Sequence, residues 1–271
     1  MDIVIIDDEP VNLTVIKQVV GRVPRCYAQA FTQPAAALAW CKANELDLVI
    51  VGYVMPEFNG IRFTQQLRAL DGKAETPVLM VTASTDPNVR TEALSSGIND
   101  FLTKPFDLGE LQERVKNMLV LRANQKKSLA KGSPTVVDTP RTTAVSAQNA
   151  ERGRATRLLN TDMTLMRLAG DHALFSEIAR VFLRTAPQLL ADTRAALSAN
   201  NMERVSAEAH SLKGAVAAFE AAEVYNAVAL VQSHADKYDH VAAASAFETA
   251  QSLVRELSGE LSSIARRDAA A

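Results

Sequence analysis

The chain has 271 residues, 48% of them hydrophobic and 22% charged, a globular composition long enough for two ordinary domains. Lysine and arginine number 29 against 31 acidic residues, and a formal charge of -2 argues against an electrostatically driven nucleic-acid binder. No stretch approaches the ~18 uninterrupted apolar residues of a membrane span, and Asp2, Asp7, Asp8 and Glu9 give the N-terminus the wrong charge for a secretory signal, so the expected location is cytoplasmic.

Ile3 to Ile6 is short, apolar and β-branched, and reads as a buried parallel strand. It ends in Asp7-Asp8-Glu9-Pro10, after which helical periodicity runs to about Val20. Further strands are expected over Cys26–Phe31, Asp47–Val51, Pro77–Val81 (ending at Thr82) and Asp100–Thr103. Helices are expected over Pro34–Ala43, from Gly60 to about Leu70, over Asp86–Ser96 with Gly97 as its stop, and from Asp107 to about Leu121. Met55 to Gly60 reads as a turn. Cys26 and Cys41 are expected to be buried thiols in a reducing compartment, with no disulfide or metal spacing.

Strand and helix alternating at this spacing predict a doubly wound α/β domain with a five-stranded parallel sheet. Ligands bind such sheets at the carboxyl ends of the strands. Asp7, Asp8, Thr82 and Lys104 all fall there. Two adjacent carboxylates suit a hard cation such as Mg2+, and a lysine with a hydroxyl suits a phosphoryl oxygen. Acidic turn residues are common, so a single such coincidence would mean little; several strand ends converging mean more.

Over residues 1–121 this layout resembles the receiver domain of two-component response regulators. The resemblance makes Asp7 and Asp8 the metal-binding acids, Thr82 the switch hydroxyl, Phe101 the switch aromatic and Lys104-Pro105 the lysine with its cis-proline turn. It also implies Mg2+ as cofactor. The family's Met-Pro-x-x-Asn-Gly turn is present at Met55 to Gly60, but the aspartate that accepts phosphate three residues before Met55 is Gly52 here. Glycine can form no acyl phosphate, and its lack of a carboxylate should weaken Mg2+ binding. A natural pseudo-receiver, a deliberate Asp→Gly change, or a stand-in such as Glu57 would each account for it. Glu57 lies past the turn, and the otherwise intact site favours a recent or deliberate loss.

Residues 122–155 are rich in Ser, Thr, Pro and charge without sustained period, and read as a flexible linker, into which the preceding helix can run on through Gln125-Lys126-Lys127 before fraying. From 156 to 267 the pattern is helical. Leu158–Leu168 reads as a lead-in helix. Gly170-Asp171 restarts the chain with Asp171 as N-cap, and a long amphipathic helix containing Pro187 follows. Asn200-Asn201 caps a helix expected to run to about Ala222, and helices over Val224–Ala235 and Val241–Ile264 complete an all-α antiparallel bundle. In the capped helix Val205, Ala209, Leu212, Val216 and Phe219 form the apolar stripe. His210 stands beside it, on a side shared with the small residues Ala207, Gly214, Ala217 and Ala221. A lone histidine is usually an ordinary surface residue. Gly214 in mid-helix, at about 1 kcal/mol relative to alanine, asks for a reason, and close approach of a partner supplies one.

His-x-Leu-Lys-Gly-Ala resembles the core motif of histidine-containing phosphotransfer (HPt) domains, and the resemblance covers residues 156 to 267. It implies that His210 carries a phosphoryl group, with Lys213 and Gly214 in support. Ten residues after the histidine the family usually has glycine, and this chain has Glu220. His172, His234 and His240 have no matching partner lysine and read as surface or capping residues. No G-x-x-x-x-G-K, G-x-G-x-x-G or kinase ATP-binding box occurs. The chain therefore reads as a phosphorelay intermediate and not a turnover enzyme. Its expected partners are a histidine kinase, a receiver domain of another protein, and a second copy through the receiver-like domain, with no nucleic acid and no membrane. A regulatory binding protein, docking a kinase or dimerising through its first domain, is the other reading.

Overall fold

The structure, a computed structural model, describes residues 1–55, 58–83, 87–131 and 158–268. The first domain is five strands, β1 (Asp2–Ile6), β2 (Tyr27–Phe31), β3 (Leu48–Gly52), β4 (Val78–Thr82) and β5 (Asp100–Thr103). They alternate with α1 (Pro10–Gly21), α2 (Pro34–Ala43), α3 (Gly60–Arg68), α4 (Pro87–Ser95) and α5 (Leu108–Lys131). All strand pairs are parallel, in the order β2-β1-β3-β4-β5. The expected doubly wound sheet is therefore present, with β1 beside β3 and the carboxyl ends of both meeting at one edge.

The apolar runs of the three central strands follow from this placement. Alternate residues enter two different cores. Ile3, Ile5, Leu48 and Ile50 face a layer with α1 and α5, while Val4, Ile6, Val49 and Val51 face Ala37, Ile61, Phe63 and Ala93. A strand covered on both faces has no polar side to show. β2 is an edge strand, and Tyr27 on it is exposed.

Two expectations for the first domain need correction. α5 runs ten residues beyond 121, so residues 122–131 are helix and not linker. The reason lies in its charged residues. Buried Arg122 donates to the Glu75 carbonyl and Lys126 pairs with Asp47, so the extra turns are tied to the sheet's lower rim. Cys41 is buried as expected, but Cys26 is only half-buried. Pro56 and Glu57 of the turn, Asp86 at the expected start of a helix, and the rest of the expected linker (132–155) lie outside the described residues.

The second domain consists of α6 (Thr161–Arg167), α7 (His172–Ser198), α8 (Met202–Ala217), α9 (Ala222–Asp236) and α10 (His240–Asp268). α7 and α9 each pack against both α8 and α10, which closes a four-helix ring. The expected caps are in place. Asp171 accepts from Leu174 N at 2.8 Å, and Asn201 accepts from Arg204 N at 3.0 Å. The helix continues through Pro187, whose ring nitrogen leaves the Leu183 carbonyl without its helical donor. Phe219 meets Phe182 and Phe175 edge-on at 5.2 and 6.3 Å between centroids, and all three are buried.

The histidine helix ends earlier than expected, at Ala217. Glu220, where the family usually has glycine, takes a left-handed backbone with φ of 51°. That conformation costs a non-glycine residue about 1–2 kcal/mol and stops the helix. Arg167 pairs with the Glu220 carboxylate at 2.7 Å and also donates to the Ala217 and Ala218 carbonyls, which holds the turn. Ala221 consequently caps α9 and does not share the helix face of His210.

The two domains touch. α1 lies against α7 and α8, and one apolar cluster runs from the sheet's first face through α1 into the bundle. Arg22 at the end of α1 forms an ion pair with Asp171.

Candidate functional site

The carboxyl edge of the sheet gathers the acids and the lysine. Asp7 ends β1 and is buried. Its Oδ1 accepts from Asn12 Nδ2 at 2.9 Å and from the Glu9 amide at 3.1 Å, and its Oδ2 takes Lys104 Nζ at 2.8 Å. Lys104 is delivered by β5 and followed by a cis bond to Pro105, as the sequence resemblance implies. Thr82, at the end of β4, is buried one strand away. Phe101 lies on β5 with the Arg90 guanidinium 5.3 Å from its ring centre.

Gly52 ends β3 in the position where an acceptor would stand. A Cβ built on it would lie 3.1 Å from Asp7 Oδ2, so the pinned Asp7 carboxylate closes over the space. The following turn depends on a second glycine. A Cβ on Gly60 would fall 2.4 Å from the Gly52 carbonyl oxygen, which no other residue type could tolerate without moving the strand.

The second domain completes the site from above. Ser211 Oγ donates to Asp8 Oδ2 at 3.0 Å. Gly214 sits over α1, and a Cβ on it would lie 3.8 Å from Asn12 Nδ2 and from Glu9 Cγ. That is ordinary contact distance, so the first domain faces Gly214 here but would also leave room for an alanine. Asp8, Lys104, Thr82, His210, Lys213 and Gly214 line one cleft of about 490 Å3. Lys213 is held by α9, donating to Gln232 Oε1 at 2.6 Å beside the Tyr225 ring.

This enclosure governs the ionisation of the site. Burial, reinforced by the cations Lys213 and Lys104, pushes the His210 imidazole down to about 4. The ring is therefore neutral at physiological pH, and among the described residues no hydrogen bond occupies it. Burial beside Asp7 lifts Asp8 to about 6. Burial lifts Glu9 further, to about 8, and its Oε2 is enclosed without a partner. Sequence reasoning assigned no role to Glu9, Asn12 or Ser211. Asn12 lies one turn into the helix after Asp7 and could have been found by that spacing. Ser211 could not, because its contact crosses the two domains.

As it stands, the site does not fit Mg2+. Receiver domains as a family bind this ion. Here Asp7 is occupied by an ammonium and two N–H donors, Asp8 is held by Ser211, and position 52 offers no side-chain oxygen. Among the described residues no group of three metal-ligating side chains occurs.

A parallel sheet with acids and lysine at its carboxyl edge, faced by a neutral histidine on a helical bundle, defines a class of protein that handles phosphoryl groups. Comparison with known families is specific. The response regulator receiver domain matches residues 3–116 and the Hpt domain matches residues 177–266, so the chain contains these two domains, both of them modules of two-component phosphorelay signalling. The cyclic di-GMP phosphodiesterase response regulator RpfG of Xanthomonas campestris is 36% identical over 45% of this chain and 32% of its own length. The TorCAD operon regulatory protein TorR of Escherichia coli is 33% identical over 43% of this chain and 49% of its own. The histidine-protein kinase BarA of Shigella flexneri is 24% identical over 79% of this chain and 22% of its own. The chain thus spans less than half the length of each of these relatives. Among solved structures, the receiver domain of Francisella response regulator 1452 is 27% identical over 44% of this chain and 95% of that one, with a TM-score of 0.40. Among the described residues no helix is long and apolar enough to cross a membrane.

Proposed function

We propose that His210 carries a phosphoryl group to or from an aspartate of a receiver domain in another protein. The observation that carries this reading is the place of His210 on α8, lining the cleft with Lys104, Lys213 and Gly214, where burial and the two lysines favour the neutral ring. A phosphoryl acceptor needs an unprotonated ring nitrogen. In the forward step that nitrogen's lone pair forms an N–P bond as the P–O bond of the partner's aspartyl phosphate breaks. The partner aspartate leaves as a carboxylate, and the proton on the other ring nitrogen stays on the imidazole or passes to water. Lys213 steadies the added charge, and Gly214 lets the partner's backbone come close. This is catalysis by positioning, and the histidine domain acts as an intermediate and not as a turnover enzyme.

The first domain, on this reading, cannot serve as acceptor because Gly52 lacks a carboxylate. Asp7, Asp8, Thr82, Phe101 and Lys104 are then the remainder of a receiver site without its reacting group. The partners are a histidine kinase and a receiver that keeps its aspartate. The test uses a partner receiver labelled with 32P and mixed with this chain. Label should appear on His210 alone. Label persisting in His210→Gln, or an alkali- and hydroxylamine-labile acyl phosphate on the first domain, would overturn the reading.

A further inference from the structure

We propose that the first domain is an intramolecular cap on His210, occupying the face of α8 that an acceptor-bearing receiver must use. The proposal rests on the reading of His210 as the phosphoryl carrier, and adds a resident competitor for its docking face.

Four observations place the cap. Ser211, next to the histidine, is bonded to Asp8. Gly214, one turn on, faces Glu9 and Asn12, which a Cβ on it would meet at 3.8 Å. Val15 of α1 and Phe106 after β5 share a crevice with Leu168 and Ile178 of the bundle. Arg22 pairs with Asp171, at the start of α7. The contact thus has an apolar part between α1 and α7 and a polar flank on α8 at Ser211, next to His210. The small residues Ala207, Gly214 and Ala217 leave a shallow seat that faces the start of α1 and the acid loop, and nothing in the seat depends on a carboxylate at position 52. The first domain can therefore hold the histidine without reacting with it.

Tethering makes such a cap effective. Lys131 and Leu158 are joined by 26 intervening residues. A covalent link of that kind presents one domain to the other at an effective concentration in roughly the millimolar range. A partner receiver at micromolar concentration must displace it, and its apparent affinity is lowered by the fraction of chains that are open.

The test measures access to His210 directly in the full chain. Diethyl pyrocarbonate modifies neutral imidazole, and exposed His172 on the same bundle serves as reference. The reaction is run at pH 7.5, with His210 modification followed by peptide mass spectrometry. Two variants open the contact. Arg22→Glu places like charge against Asp171, and Val15→Glu buries a charge in the crevice. Arg22→Glu is a surface change that leaves the first domain's core intact should Val15→Glu fail to fold. In the unaltered chain His210 should react more slowly than His172. Opening should raise the ratio of His210 to His172 by about tenfold. A ratio unchanged in a folded variant overturns the cap. The same proteins are then mixed with labelled partner receiver. Faster transfer in the opened variants is the functional consequence. No transfer in any variant, with access nonetheless raised, would refute the phosphoryl reading and leave the cap standing. Equal access with normal transfer would do the reverse.

Discussion

Raising the pH should weaken the folded chain, and Glu9 sets the size of the effect. Its side chain is 2% exposed, shut in by α1 below and Gly214 above. Burial lifts its carboxyl from an ordinary 4.5 to about 8, and neighbouring Asp7 and Asp8 push the same way against the Val11 amide and Lys104. Between those two pH values the folded chain keeps a proton that the unfolded chain releases. Stability therefore falls as pH rises through this window, and the penalty is complete only above about 8. At roughly 1.4 kcal/mol per pH unit the loss approaches about 5 kcal/mol if the domains stay docked. Asp8, raised to about 6, contributes in the same direction at lower pH. Urea denaturation in metal-free buffer from pH 5 to 9 measures the slope. Glu9→Gln keeps the acceptor for the Val11 amide and removes the titration, so its slope should be much flatter. The facing groups Asp7, Lys104, His210 and Ser211 are unchanged in that variant. An identical slope would refute the assignment to Glu9. A wild-type slope that levels off early, with His210 becoming accessible at the same pH, would mean that the strain is relieved by undocking before unfolding.

Gly52→Asp should gain a magnesium-dependent thermal shift that the parent lacks, because a third carboxylate joins Asp7 and Asp8; at a hundredfold excess over Kd the stabilisation is about 2.7 kcal/mol. Without metal the same variant should be less stable than the parent, since its Cβ starts 3.1 Å from Asp7 Oδ2. Phe219→Ala should cost about 3–5 kcal/mol in denaturant unfolding of the bundle, from lost burial and a cavity between Phe175 and Phe182. Asp171→Ala loses both the N-cap and the pair with Arg22, whereas Arg22→Ala loses only the pair, so the first should exceed the second by about 1 kcal/mol.

The sheet was legible because a strand buried on both faces must be apolar throughout, and the runs at Ile3, Leu48 and Val78 admit little else. The acids and lysine were legible because strand ends in such a sheet share an edge. α8 was legible by period: Val205, Ala209, Leu212 and Val216 are all buried, and so is Phe219 two residues past its end. The ends of elements were less so. α5 outran its apolar signal because Arg122 and Lys126 anchor it through charge, which periodicity does not register. Nothing in the sequence announced the docking. Gly214 faces residues 9 and 12 of the same chain at a distance that an alanine would also allow, so the docking by itself does not account for the glycine.

Glu220 shows how a local departure from a family pattern can be carried. A left-handed φ of 51° favours glycine, so Glu220→Gly relieves about 1–2 kcal/mol of backbone cost. Against this, glycine loses the Arg167 ion pair, which is partly exposed and contributes about 1 kcal/mol or less. Glycine also has more freedom to lose on folding, which costs about 0.5–1 kcal/mol. The terms nearly cancel, so Glu220→Gly should change bundle stability by less than about 1 kcal/mol. Arg167→Ala should cost more, because it leaves the Ala217 and Ala218 carbonyls without their side-chain donor as well as breaking the ion pair. Paired denaturation curves decide it. A glycine variant more stable by 2 kcal/mol or more would show that the ion pair holds nothing; equal losses in the two variants would show that the carbonyl bonds do not matter. Because Glu220 sits three residues beyond the end of α8 and seven residues from Lys213, neither change should alter phosphoryl transfer at His210 beyond its effect on folding.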